Sequence, residues 1–246
     1  IIDHHQIEKD FNSEKTVFMN AQGYCVSYLA YYLFYKIAGI KELERIDWLV
    51  ACASLADFAY DKNVAWMGKT YSKYKQKFYL EKAKTGIMWD ISIHIGYGII
   101  YFRDNLSKIF NLIGEDFGDI NKLKKYSMKV EKEIHDYTYR FYKEKEIING
   151  RYFWKISPEP KFPISSIIST IVSFENLHTT VIIARLYKRT YHFSIRRQDR
   201  HESTVELIKK LLTGLENADG GGHIPAAGGH FLEKDFEKFK ENLKKV

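Results

Sequence analysis

The sequence predicts an α/β protein with the end of a buried strand at its front, a helical middle section, and a C-terminal unit of mixed strands and helices. Three observations predict this. The chain opens with two β-branched residues, Ile1 and Ile2, set before the polar run Asp3-His4-His5. Residues from about 70 to 147 are charged, aromatic and free of proline, with helical spacing in "NKLKKYSMKVEKEIHDYTYRFYKEKEI". After Asn149-Gly150, Pro158, Pro160 and Pro163 follow in quick succession and the pattern turns to strands.

Taken in order, Ile1 and Ile2 read as the tail of a strand buried in a sheet, with Asp3, His4 and His5 where that strand leaves it. Strand ends are where α/β proteins keep their ligands, although a plain polar loop fits three residues equally well. "YCVSYLAYYLFYKIAG" (24–39) is apolar on nearly all sides and ends at a glycine, as a buried helix does. "ELERIDWLVACASLAD" (42–57) reads as a shorter helix whose last turn delivers Asp57 at the end of an almost wholly apolar stretch. A carboxylate is costly there unless it is paired or holds a metal, and capping of the next turn is the other use for it. His94 and His135, in the helical middle, have no carboxylate or cysteine at ligand spacing and read as packed or surface residues.

The composition shift at 149–163 places a domain boundary near residue 150. Beyond it, "TTVIIARLY" and "RTYHFSIRR" read as two strands joined by a short turn around Lys188 and Arg189. "STVELIKKLLTGL" reads as a helix with Ser203 or Thr204 as its N-cap. In "LEKDFEKFKENLKK", Leu232, Phe236, Phe239 and Leu243 share one helical face and belong to the core.

Forty-five per cent hydrophobic content suits a packed protein rather than a disordered one. The longest apolar runs, such as "ISIHIGYGIIYF", are too short and interrupted to cross a bilayer, and nothing resembles a signal peptide, so the expected location is cytoplasmic with no membrane partner. Cys25 and Cys52 lack C-x-x-C spacing and are expected to be reduced core residues. The formal charge of +7 favours an anionic partner. Much of it gathers in "RLYKRTYHFSIRRQDR" (185–200), where basic and aromatic residues alternate; this is either a nucleic-acid surface or a solvated face. In "ADGGGHIPAAGGHF" (218–231) the glycines predict a loop whose backbone approaches an anion unobstructed, with His223 as a further donor; a tight connection is the alternative.

Together the Asp-His-His run, the apolar stretch ending in Asp57, the S-x-R strand (Ser194, Arg196) and "GGGHIPAAG" resemble the DHH phosphoesterases with their associated C-terminal domain. The nearest resemblance is to archaeal-type RecJ-like exonucleases, over roughly 1–60 and 150–231. The resemblance implies that 1–90 is the C-terminal part of a DHH parallel-sheet domain, 91–149 a helical connector, and 150–246 the associated substrate-binding domain. It implies that His4 and Asp57 ligate a divalent metal, usually manganese with magnesium as the alternative, in a two-metal site. Asp3 then supports the histidines and His5 faces the scissile phosphate, making Asp3, His4 and His5 the catalytic group. Ser194, Arg196, Gly221, Gly222 and His223 hold substrate phosphates, with Arg197 held more loosely because it faces the other way from Arg196 on a regular strand. The family's two earlier aspartate motifs are missing, so the chain is expected to be a fragment, inactive alone, of a manganese-dependent exonuclease on single-stranded DNA or RNA. Alternatives are a phosphodiesterase for short oligonucleotides or cyclic dinucleotides, and a non-catalytic replication scaffold; replication or repair proteins are the expected protein partners.

Overall fold

The computed structural model describes residues 1–4, 10–114, 116–117 and 120–246. By its contacts the chain divides into two compact units, Ile1–Lys129 and Val130–Val246. The division falls inside a long helix of the stretch that the sequence assigned to the connector, while the boundary expected near 150 coincides with a tight turn of the second unit.

The first unit begins with β1 (Ile2–Asp3), paired in parallel with β2 (Met19–Asn20). Helix α1 (Val26–Tyr32) runs on as a wider π turn over Leu33–Ile37, and a 3-10 turn (Lys41–Ile46) leads into α2 (Asp47–Ala56). Then come α3 (Val64–Lys73), α4 (Ile87–Tyr101), α5 (Ser107–Ile113) and α6 (Asn121–Glu144). The core is helical: Trp48, Cys52 and Leu55 of α2 pack with Met67 of α3, Met88 and Ile91 of α4, Ile109 of α5 and Leu123 of α6. Asp47, buried at the start of α2, is compensated by Lys73 Nζ at 3.0 Å and the Tyr74 hydroxyl at 2.7 Å, which anchors the helix that ends at Asp57.

Two expectations for this unit need correction. Ile1 is 64% exposed and Ile2 only half-buried, because a two-stranded ladder covers neither face of its strands as a wide parallel sheet does. The helix at 24–39 is not buried all round either. It buries Leu29 and Tyr31, while Tyr32, Phe34 and Ile37 are exposed and its rings shield one another, Tyr31 stacking on Tyr35 at 5.1 Å.

The second unit follows α6 with β3 (Glu146–Ile148) and β4 (Arg151–Ile156), a hairpin turned by Asn149 and Gly150, both at positive φ. Next are α7 (Ser165–Glu175), β5 (Val181–Tyr187), β6 (Thr190–Arg196), α8 (Thr204–Leu211), β7 (Asp219–His223), β8 (Ala226–Leu232) and α9 (Phe236–Lys245). The sheet order is β3-β4-β5-β6-β8-β7, with β4 and β5 parallel through the crossover helix α7 and the other pairs antiparallel. Phe193, Ile195, Phe231 and their neighbours pack on Leu207 and Leu211 of α8 and on Phe239 and Leu243 of α9. The opposite face meets α7 over β5 and β6.

Lys188 and Arg189 turn the β5–β6 hairpin at φ 46° and 61°, the two positive values of a type I′ turn. Ser203 caps α8 by accepting the Glu206 N–H at 3.3 Å, while Leu232 ends β8 rather than joining the helical face of Phe239 and Leu243. The glycine-rich stretch is also a correction: it forms the paired strands β7 and β8, not a loop. Extended pairing prevails because glycines at 220, 222 and 229 remove side chains that would strike the neighbouring strand. Among the described residues no helix is long and apolar enough to cross a membrane.

Candidate metal and phosphate sites

In the first unit, β1 and α2 bring His4 and Asp57 together. Asp57 follows the last residue of α2, its N–H donating to the Ala53 carbonyl at 3.0 Å, so the helix end sets the position of its side chain. His4 Nδ1 lies 3.3 Å from Asp57 Oδ2 and 3.0 Å from the Tyr24 carbonyl oxygen. A carbonyl only accepts, so Nδ1 carries the proton, and in the neutral ring the lone pair is on Nε2. Asp3 accepts the His4 N–H at 2.6 Å through Oδ1, fixing the backbone at the strand end. His5 lies outside the described residues.

An imidazole nitrogen and a carboxylate are donors that suit a divalent ion such as manganese, and a histidine whose other nitrogen donates to a carbonyl or carboxylate is oriented as metal-bound histidines are. The donor types therefore fit the metal that the sequence implied. Among the described residues no group of three histidine, cysteine, aspartate or glutamate side chains that could hold a metal ion gathers. Cysteine does not add to His4 and Asp57. Burial raises the pKa of the Cys25 thiol and pushes that of Cys52 up to about 12, so both keep their protons at neutral pH. Both line, with Asp57, a cavity of about 370 Å³ whose walls include Ala53, Ala56 and Gly96.

In the second unit, antiparallel register sorts the candidate residues into rows, since directly opposed residues share a face. One row runs Val181, Arg196, Ala226, His223 across β5, β6, β8 and β7. The next runs Ile183, Ser194, Gly228, Gly221. Ser194, Arg196, Gly221 and His223 thus share one sheet face although they come from two separate stretches of sequence. The helix α7, whose role the sequence did not disclose, braces them. Ser194 Oγ donates to Ser169 Oγ at 2.8 Å, and Arg196 Nε donates to Thr170 Oγ1 at 3.2 Å. The signal was available in "SSIISTIVSFE", where Ser166, Ser169, Thr170 and Ser173 recur at helical spacing.

Burial lowers the Arg196 pKa from its ordinary value, yet guanidinium remains charged at any working pH. Gly221 faces open space, whereas Gly222 has φ +150° and a Cβ there would run into the Ala226 carbonyl oxygen. Arg197 turns away from this face. Its Nε and Nη2 donate to Asp199 at 2.6 and 3.0 Å, and these bonds, with those from the His201 N–H and His178, hold the Asp199 carboxyl well below its usual range. The charge of Arg197 is thereby matched within the protein. His223 is exposed at the end of β7, and its carbonyl accepts from Thr204 Oγ1 at 2.9 Å. Of the two other histidines noted in the sequence, His94 Nδ1 pairs with Ser127 Oγ at 2.8 Å and the His135 side chain is 85% exposed.

No protein-family model matches the chain, and no curated protein matches it. Solved structures do. RecJ of Thermus thermophilus in complex with Mn2+ aligns with a TM-score of 0.70 at 13% identity, over 99% of this chain and 40% of that one. An exonuclease RecJ bound to manganese aligns at 0.63 and 15% identity, over 99% of this chain and 68% of that one. A DHH domain described as belonging to a family of ribosomal proteins aligns at 0.62 and 17% identity, over 99% of this chain and 62% of that one. At such identities the likeness is one of fold. The chain has a DHH/RecJ-like α/β fold and spans about two fifths to two thirds of the length of these structures.

Proposed function

We propose that this chain is part of a metal-dependent phosphodiesterase, of the exonuclease kind, acting on single-stranded DNA or RNA. The observation that carries the reading is the meeting of His4 and Asp57 at 3.3 Å, an imidazole and a carboxylate from distant parts of the sequence, in a fold like that of RecJ. Manganese, or magnesium in its place, would be held by His4 and Asp57, with further ligands completing a two-metal site. Such ions neutralise phosphate charge and acidify a water near neutral pH. Asp3 fixes the strand end, and the Tyr24 carbonyl holds the His4 proton on Nδ1, which sets the orientation of the ring. His5, beside His4 in sequence, is assigned to the scissile phosphate. On the second unit, Arg196 supplies a charged fork and His223 a smaller donor, Ser194 is assigned to the same phosphate-holding face with its hydroxyl proton given to Ser169, and Gly221 and Gly222 keep the face open to a phosphate.

The domain reading proposed with this function assigns 1–90 to the catalytic part, 91–149 to a connector and 150–246 to substrate holding. Hydrolysis on this reading requires further carboxylates beside His4 and Asp57. The test measures mononucleotide release from an end-labelled single strand by the protein that carries this sequence, with manganese and with chelator. Manganese-dependent release that is lost in His4→Ala and Asp57→Ala supports the reading. Release unaffected by either substitution overturns it. Hydrolysis confined to dinucleotides or cyclic dinucleotides transfers the assignment to a short-substrate enzyme, and partner binding with no hydrolysis to a scaffold.

A further inference from the structure

A third row crosses the same sheet face and is unused by the assignment above: Arg185 on β5, His192 on β6, His230 on β8 and Asp219 on β7. Its centre is the Arg185 guanidinium, ion-paired with Glu159, beside two imidazoles. The Arg185 side chain is only 13% exposed, its Nε is buried without a hydrogen-bond partner, and the carboxylate of Glu159 stands 3.7 Å from Nη1, beyond hydrogen-bonding reach. The rings of His192 and His230 lie 6.1 Å apart, and His192 is exposed at the surface. Burial of part of the ring lowers the His192 pKa, and the Arg185 charge and His230 lower it further. Asp219, at the outer end of the row, spends Oδ1 on the Gly220 N–H at 2.8 Å.

Geometry separates this row from the other two. His192 is four residues from Arg196 along β6, about 13–14 Å at a rise of about 3.4 Å per residue. Arg196 is tied to Thr170 and to the Ile195 carbonyl, so it does not swing to meet His192. One phosphate therefore does not touch both rows. Between them, Gly228 and Gly221 carry no side chain, which leaves the way along the face unobstructed over β8 and β7.

We infer that Arg185, His192 and His230 form a second anion-binding site, which holds the phosphate of a more distant nucleotide and makes this face a track for single-stranded nucleic acid longer than a dinucleotide. The inference rests on the reading that Arg196 and His223 hold a phosphate. A bound phosphate supplies hydrogen-bond acceptors for the imidazole and guanidinium N–H groups.

The experiment measures binding of the full 246-residue chain, without metal, to a 5′-phosphorylated thymidine dinucleotide and to an oligothymidylate of about twelve nucleotides, a length in the range of single-strand binding sites. His192→Gln/His230→Gln keeps polar side chains of moderate size and removes both imidazoles. It should weaken the longer ligand by about three- to tenfold, with a shallower salt dependence, and leave dinucleotide affinity within about twofold. Arg196→Ala should weaken both ligands alike. If Arg196→Ala weakens binding and the double histidine variant does not, the second site is refuted and the phosphate reading stands. Equal losses on both ligands in the histidine variant also refute a separate site. Failure of the unmodified chain to bind either ligand, or of Arg196→Ala to weaken either, removes the phosphate reading and this inference with it.

Discussion

The pair in the first unit and the rows in the second are built in opposite ways. His4 and Asp57 meet because the end of a two-residue strand and the end of one helix happen to be held side by side; a single contact at 3.3 Å records the arrangement. Ser194, Arg196, Gly221 and His223 are placed by a sheet in which every residue of β6 and β7 has a defined partner on β8. A site made of helix and strand ends is free of the core, so its side chains can be replaced without unfolding the unit. A site made of strand register shares its backbone with the fold, so some substitutions disturb both at once.

The largest expected effect tests the first half of that comparison. In the protein that carries this sequence, Asp57→Ala should lower metal-dependent hydrolysis by about a hundred- to a thousandfold, as loss of a group acting on transition-state charge does. Its urea midpoint should scarcely move, because the Asp57 side chain is 36% exposed and is not one of the buried core residues. A large fall in the midpoint would mean that this carboxylate is structural. The second half is tested by adjacent glycines. Gly222→Ala forces a side chain into the Ala226 carbonyl at φ +150° and should cost about 2–4 kcal/mol. Gly221→Ala meets open space and should cost under about 1 kcal/mol. Equal destabilisation of the two in urea titrations would show that register does not govern this edge.

A smaller effect is expected for binding. Arg196→Ala removes a charge-assisted contact of about 1.5–3 kcal/mol, so affinity for a phosphorylated dinucleotide should fall by about one to two decades in equilibrium titrations. The smallest concerns acid stability. Burial raises the Glu202 pKa, but bonds from Arg151 at 3.1 Å and Thr180 at 2.5 Å outweigh it and leave the carboxyl below its ordinary value of 4.5. A depressed folded-state pKa gives stability that is present above the unfolded value and is lost as pH falls through the folded one. Glu202→Gln should therefore show lower stability at neutral pH and a shallower decline on acidification below about pH 4.5. Parallel curves for both proteins would remove Glu202 from the acid response.

By itself the sequence determined what depends on neighbours along the chain. The turn at Lys188-Arg189, the Asn149-Gly150 turn, a helix cap at Ser203 or Thr204 and the apolar face of Phe239 and Leu243 all follow from local backbone preference and helical period, and all are present, the cap at Ser203. The residue types for metal and phosphate chemistry were legible as motifs. Tertiary structure alone decided where they stand. The glycine run looked like a loop because glycine has weak intrinsic strand preference, and only the close approach of β8 makes its missing side chains a requirement of pairing. Burial of the front strand and of the helix at 24–39 could not be judged from hydrophobicity, since apolar character states a tendency and packing partners set the outcome. The row of Arg185, His192 and His230 was invisible for a related reason. His230 is far from His192 in sequence, and their juxtaposition depends on a register that no local period encodes.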